Sequence, residues 1–241
     1  MQLENTGILN FIKIPDIISS LNMIFGFIAI LMAFNNYFTL SAICIIIAII
    51  FDSIDGWVAR KLGRDDSLGF GKNIDSLADI VSFGAAPAAL LYSIGMKLSP
   101  NMQILTAIIS LYMIWCGLLR LTRFNVIGDK IDYQGFIGFP IPGIAFLLAT
   151  FYLTGFFNIW LAYILMIITA TLMISNLKYP KIDNYILIGI SFILILLIPL
   201  KLALYGINIP ALILFIFVLI YLFLNFYYNI NQEGSIFKKT Q

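Results

Sequence analysis

The chain has 241 residues, 61% of them hydrophobic and 11% charged, with a mean hydropathy of +1.01. Soluble domains run at about 45–50% apolar and 25% charged, so the composition excludes a soluble fold and predicts an all-α integral membrane protein. There is no histidine and the net charge is only +2, which excludes imidazole chemistry and gives no footing for nucleic acid.

A membrane-crossing helix takes about 20 mostly apolar residues. Eight segments are predicted in chain order, near 17–34, 40–60, 74–95, 102–121, 138–155, 158–176, 184–200 and 209–228. Residues 1–16 carry Glu4, Lys13 and Asp16 and lack a cleavable-signal pattern, so the first apolar segment is expected to be retained. Pro140 and Pro142 stand at the start of the fifth segment, where proline is tolerated. Cys44 and Cys116 fall in apolar runs, which argues against a disulfide or a thiolate metal site. The chain reads as one polytopic domain, with an N-terminal segment 1–16, a helix bundle 17–228 and a tail 229–241.

The basic residues fix an orientation. With alternate crossings, Lys13, Arg60, Lys61, Arg64, Lys72, Arg120, Arg123, Lys130, Lys178, Lys181, Lys238 and Lys239 share one side, and only Lys97 and Lys201 the other. The positive-inside rule makes the first side cytoplasmic. Both termini and the polar stretch 52–79 are therefore expected on the cytoplasmic face of the cell membrane.

That stretch, DSIDGWVARKLGRDDSLGFGKNIDSLAD, is where chemistry is expected. Charge in a bilayer costs at least about 2.5–3.5 kcal/mol per residue and marks function. At 100° per residue, Asp52, Asp55, Gly56 and Ala59 fall on one helical stripe, with Arg60 at its edge. Gly71, Asp75, Asp79, Ser82 and Ala86 fall on one stripe of the next helix. Opposed, the stripes gather four carboxylates beside small residues that leave room for a bulky ligand. Four such acids need cations to stay ionised together, and all-oxygen ligation favours Mg²⁺, Mn²⁺ or Ca²⁺. Two hard cations between aspartates suit phosphoryl displacement. Without histidine, the general base is an acid, lysine, tyrosine or water, and a carboxylate at the metal site is preferred. Asp65 and Asp66 read as helix-end charges in a solvated loop.

The pattern D-x2-D-G-x2-A-R, a spacer, then G-x3-D-x3-D resembles the signature of the CDP-alcohol phosphotransferase family. Ten residues separate Arg60 from Gly71, where the family usually has eight, which unsettles the alignment of Asp66 and Ser67 but not of the acids. The resemblance implies displacement of CMP from a CDP-linked lipid or alcohol by an acceptor hydroxyl, within a homodimer. It implies that Asp52, Asp55 and Asp75 hold two divalent cations with Asp79 completing the centre, and that Asp79 takes the proton of the attacking hydroxyl. Asn22, Gly56, Ala59, Arg60, Ser67 and Gly71 are then expected around the cytidine diphosphate.

Further segments, IPDIISSLNMIFGF (14–27), DSLADIVSFGAAPA (75–88), GLLRLTRFNV (117–126), FIGFPIPG (136–143) and LMISNLKYPK (172–181), look like the membrane-spanning phosphatidylserine synthases within that family. This implies CDP-diacylglycerol or an ether-linked analogue as donor and L-serine as acceptor. Arg120 and Arg123 suit the serine carboxylate, though positive-inside anchoring explains them equally well, with Ser82, Asn125 and Lys178 as further acceptor candidates. The rival acceptors are glycerol 3-phosphate and inositol phosphate, whose extra phosphate demands more cationic residues. A cation transporter is the reading from another class, but it expects polar groups near the bilayer midplane, and the acids here cluster at one interface.

Overall fold

The computed structural model describes residues 7–62, 69–127, 135–180, 185–200, 203–204 and 206–237, and these are mostly helical. The helices are α1 (Ile14–Phe34), α2 (Phe38–Lys61), α3 (Phe70–Asp79), α4 (Ala86–Gly95), α5 (Pro100–Ile127), α6 (Ile141–Leu153), α7 (Ile159–Ile174), α8 (Tyr185–Leu197) and α9 (Ile209–Phe237). A π-helical turn, Ile80–Ala85, joins α3 to α4 in one rod. Four helical rods among the described residues are long and apolar enough to cross a membrane: Ile14–Phe34, Phe38–Lys61, Phe70–Gly95 and Pro100–Ile127. Shorter apolar helices follow at Ile141–Leu153, Ile159–Ile174 and Ile209–Phe223. The chain is thus a multi-pass membrane protein.

Several boundaries differ from the sequence expectation for local reasons. Helix α1 starts at Ile14 because Pro15 fits its first turn and the Lys13 N–H donates to Asp16 Oδ2 at 2.8 Å, one half of a capping box. Helix α6 starts only at Ile141, with Pro140 extended before it and Pro142 in the first turn. Helix α5 runs to Ile127, well past the apolar segment, and carries Arg123 and Asn125 on its extension, with Arg120 just before it.

The chain is mostly helical, as an all-α membrane protein is expected to be, with one local addition. Two short antiparallel ladders clip connections together. Strand β1 (Gly135–Ile137) pairs with β2 (Lys178–Pro180), and β3 (Ala203–Leu204) with β4 (Ile207–Asn208). Strands this short carry no alternating pattern that periodicity detects.

Lipid tails are as apolar as leucine, so helix association in a bilayer relies on close packing and polar contacts. Helix α1 shows both on one face. Ser19, Asn22, Gly26, Ala29 and Ala33 are buried at helical spacing, and Ala42, Ala48 and Asp55 are buried on α2. A Cβ added to Gly26 would stand 2.2 Å from Ser82 Oγ and 2.5 Å from Ser82 Cα. Only glycine allows α1 so close to the π turn.

Candidate active site

The acids sit where α1, α2, α3 and α5 meet. Asp55 is 6% exposed, while Asp52, Asp75 and Asp79 are half-buried. Helix α1 supplies the polar contacts that order them. Ser19, wholly buried, donates its hydroxyl to Asp75 Oδ1 at 2.6 Å and lies within hydrogen-bonding reach of Asp55. One turn on, Asn22 Nδ2 donates to Asp79 Oδ1 at 3.3 Å. The Asp79 carboxyl in turn meets that of Asp52. Each acid of α3 is therefore matched with one of α2, Asp75 with Asp55 across Ser19 and Asp79 with Asp52 directly.

Among the described residues, no three acids close into a ready ligand cluster for a metal ion. The donor chemistry nevertheless fits a hard divalent cation. Asp55 Oδ2 is buried without a hydrogen-bond partner, and the adjoining Asp52 and Asp79 carboxylates repel unless a positive charge stands between them. Oxygen-only donors of this kind suit Mg²⁺, Mn²⁺ or Ca²⁺.

The small residues flank the acids as the stripe predicts. The nearest atom to a Cβ added at Gly56 is Arg60 Nη1 at 3.4 Å, so the space beside α2 is open. Ala59 is half-buried, Arg60 is exposed in the last turn and Gly71 is buried at the start of α3. Ser67 lies outside the described residues, as do Asp65 and Asp66.

The five acceptor candidates separate. Arg120, 6% exposed on α5, lies within electrostatic range of Asp79 and Asp52. Its guanidinium is flanked by the rings of Phe124 at 5.8 Å and Phe136 at 5.6 Å, and its Nε has no hydrogen-bond partner. Arg123 donates instead to four backbone carbonyls. The side chains of Asn125 and Ser76 hydrogen-bond to each other, while Lys72 Nζ donates to the Asn125 carbonyl at 3.2 Å, which ties α5 to α3. Ser82 donates to the Asn22 carbonyl at 2.9 Å. Lys178 is exposed on β2, beside a buried Tyr179 whose phenol, lacking a hydrogen-bond partner, is pushed by burial up to about 12.

Sequence reasoning missed Ser19. Its signal was slight, since Ser19 stands among other polar residues of α1, namely Asp16, Ser20 and Asn22.

Paired aspartates beside small residues and an arginine in a membrane bundle are the arrangement that the CDP-alcohol phosphotransferase signature leads one to expect. The family model for CDP-alcohol phosphatidyltransferase matches residues 12–175, and the chain belongs to that family. It is 42% identical over 184 residues to the archaetidylserine synthase of Methanothermobacter thermautotrophicus, covering 76% of each chain. It is also 42% identical over 219 residues to the CDP-diacylglycerol–serine O-phosphatidyltransferase of Methanocaldococcus jannaschii, covering 89% of this chain and 94% of that one. The enzyme of the same name from Bacillus subtilis is 35% identical over 172 residues, covering 71% of this chain and 92% of the relative.

Proposed function

We propose that the chain transfers a phosphatidyl-type group from a CDP-linked lipid to the hydroxyl of L-serine and releases CMP, a step of phospholipid biosynthesis. The observation that carries this reading is the 42% identity, over most of the chain, to two relatives both named for a serine-lipid product. Their names differ in the lipid, archaetidyl in one and diacylglycerol in the other. The donor is accordingly CDP-diacylglycerol or its ether-linked analogue.

Asp52, Asp55 and Asp75 would hold the divalent cations in this reading, with Asp79 completing the set. When bound, Mg²⁺ or Mn²⁺ supplies charge neutralisation for the diphosphate and the carboxylates. Gly56, Ala59 and Gly71 leave room for the cytidine diphosphate, with Asn22 beneath it, and Arg60 presents its fork of donors to a phosphate. Asp79 accepts the proton of the serine hydroxyl as that oxygen bonds to the lipid-linked phosphorus. The bond from that phosphorus to CMP then breaks, and the electron pair leaves with CMP. The Asn22 hydrogen bond orients Asp79 for this task. Arg120, close to Asp79 and held between two aromatic rings, receives the serine carboxylate.

The chain crosses the membrane eight times in this reading, with the active site and both termini at the cytoplasmic face. Contacts between connections support the grouping of the loops by side. The connections after α5 and α7, expected on the cytoplasmic side, meet through β1 and β2. Those after α6 and α8, expected on the other side, meet where the Asn208 N–H donates to the Thr154 carbonyl at 2.9 Å. The working unit is a homodimer. The test is an acceptor panel with purified protein, CDP-lipid and Mg²⁺ or Mn²⁺. Product with serine and none with glycerol 3-phosphate or inositol phosphate supports the reading; the reverse pattern refutes it.

A further inference from the structure

Arg123 follows Arg120 by three residues on α5, but its guanidinium is spent on main chain. Nη1 donates to the Ile174 and Ser175 carbonyls at 3.1 and 2.9 Å, and Nη2 to those of Ile137 and Met173 at 2.8 and 2.9 Å. All four Nη–H donors are occupied, so no pair of them remains for a carboxylate fork. The acceptors belong to β1 and to the end of α7. Gly138 makes the approach possible. Its φ is +80°, and a Cβ there would stand 2.1 Å from the Met173 oxygen and 2.5 Å from Arg123 Nη2.

Of the two clamped segments one is β1, and the other, the end of α7, runs on through Leu177 into β2; the two strands form a clasp. Phe136 on β1 opposes Tyr179 on β2, and the Gly138 N–H donates to the Leu177 carbonyl at 2.7 Å. Helix α9 also holds the second strand, where the Tyr221 hydroxyl donates to the Pro180 carbonyl at 2.9 Å. The rings of Phe139, Tyr179 and Tyr221 pack together, with the Tyr179 and Tyr221 centroids 5.6 Å apart. The clasp also delivers Phe136, whose ring stands 5.6 Å from the Arg120 guanidinium.

The geometry points to Arg123 as a positioning residue: it clamps the β1–β2 clasp so that Phe136 keeps Arg120 aimed beside Asp79 and Asp52, and it does not itself touch the acceptor. This rests on the reading that Arg120 receives the acceptor carboxylate. A guanidinium is the fitting group, because its rigid planar donors span several carbonyls where an ammonium acts as a point charge. Tyr221 then gives the last helix a task, as the second anchor of the clasp.

A disulfide across the clasp separates positioning from binding. The hydrogen bond between Gly138 and Leu177 makes Gly135 and Pro180, paired three positions away, a non-hydrogen-bonded pair. Such pairs have Cα atoms about 4.5 Å apart, within disulfide range. Gly135→Cys and Pro180→Cys are introduced together in a chain with Cys44 and Cys116 replaced by alanine, with and without Arg123→Ala. The bridge is expected to form readily on mild oxidation when Arg123 is present; failure to form there overturns the pairing and the proposal. Arg123→Ala is expected to lower kcat/KM for serine at least tenfold in the reduced state. Oxidation is expected to restore it to within threefold of the oxidised parent. A bridge that forms and restores nothing overturns the proposal and makes Arg123 a direct ligand. Should Arg123→Ala not accumulate, Arg123→Lys carries the same comparison. Bridge yield and the rise in melting temperature on oxidation read the clasp without turnover, so a chain that proves inactive on serine refutes the functional reading while leaving the clasp tested.

Discussion

Ser19 on α1 donates its hydroxyl to Asp75 Oδ1 on α3 at 2.6 Å, across 56 residues of sequence. The same hydroxyl lies within reach of Asp55 on α2. One small side chain thus ties three helices together at the point where their acids converge. A hydrogen bond to a charged group is worth about 1.5–3 kcal/mol, enough to fix the rotamer of a carboxylate that must present its oxygens in one direction. Ser19→Ala is expected to lower kcat about tenfold with little change in CDP-lipid affinity, and Ser19→Thr to recover most of the loss. Steady-state kinetics on the two variants check this, and an alanine variant with unchanged kcat removes Ser19 from the site.

In the proposed reaction Asp79 takes the proton; Asn22 holds one of its oxygens and Asp52 adjoins it. General-base catalysis contributes about 10²–10⁴-fold. Asp79→Asn is expected to lower turnover by about 10³-fold while sparing much of the CDP-lipid binding, measured by thermal shift or direct titration. Full activity in that variant refutes the assignment.

Divalent cations are expected to be required for turnover. EDTA should abolish it, and Mg²⁺ or Mn²⁺ should restore it. Asp55→Asn, which removes charge beside a buried oxygen without a partner, should raise the metal concentration for half-maximal activity about tenfold or more. Undiminished turnover in excess chelator would contradict the metal requirement outright.

Gly26 is a packing prediction. A methyl group at this position meets Ser82 backbone and side chain at once, and overpacking of this kind costs about 1–3 kcal/mol. Gly26→Ala is expected to lower the melting temperature in detergent by about 3–10 °C. It should also reduce activity, because α1 is displaced and Asn22 moves with it. A variant as stable and active as the parent would show that α1 and the π turn do not pack this closely.

The convergence of the four acids was legible in the sequence for a physical reason. Costly charges in apolar helices stand out, and the spacing of Asp52 and Asp55, then Asp75 and Asp79, follows helical geometry that needs no tertiary information. The motif at Gly56, Ala59 and Arg60 added the family. Ser19 was less visible, because a hydroxyl is cheap in a transmembrane helix and its partner is distant in sequence. The same holds for Arg123, since its four carbonyl partners are set by the tertiary packing of α5 against α7 and β1. The π turn after Asp79 has no sequence mark in a run such as IVSFGA, and β1 and β2 are too short to show a strand period. Helix ends were read to within a few residues, except at α5 and α9, which continue as polar helix beyond the apolar segments.

The proposed reaction is displacement of CMP by the hydroxyl of serine at the Asp52–Asp79 site. It is tested most directly by supplying purified protein with CDP-lipid, Mn²⁺ and labelled L-serine, and counting both products for the parent and for Asp79→Asn. The expected result is one labelled serine lipid for each CMP in the parent and almost none of either in the variant. CMP release without serine incorporation, or equal yields from parent and variant, would contradict it.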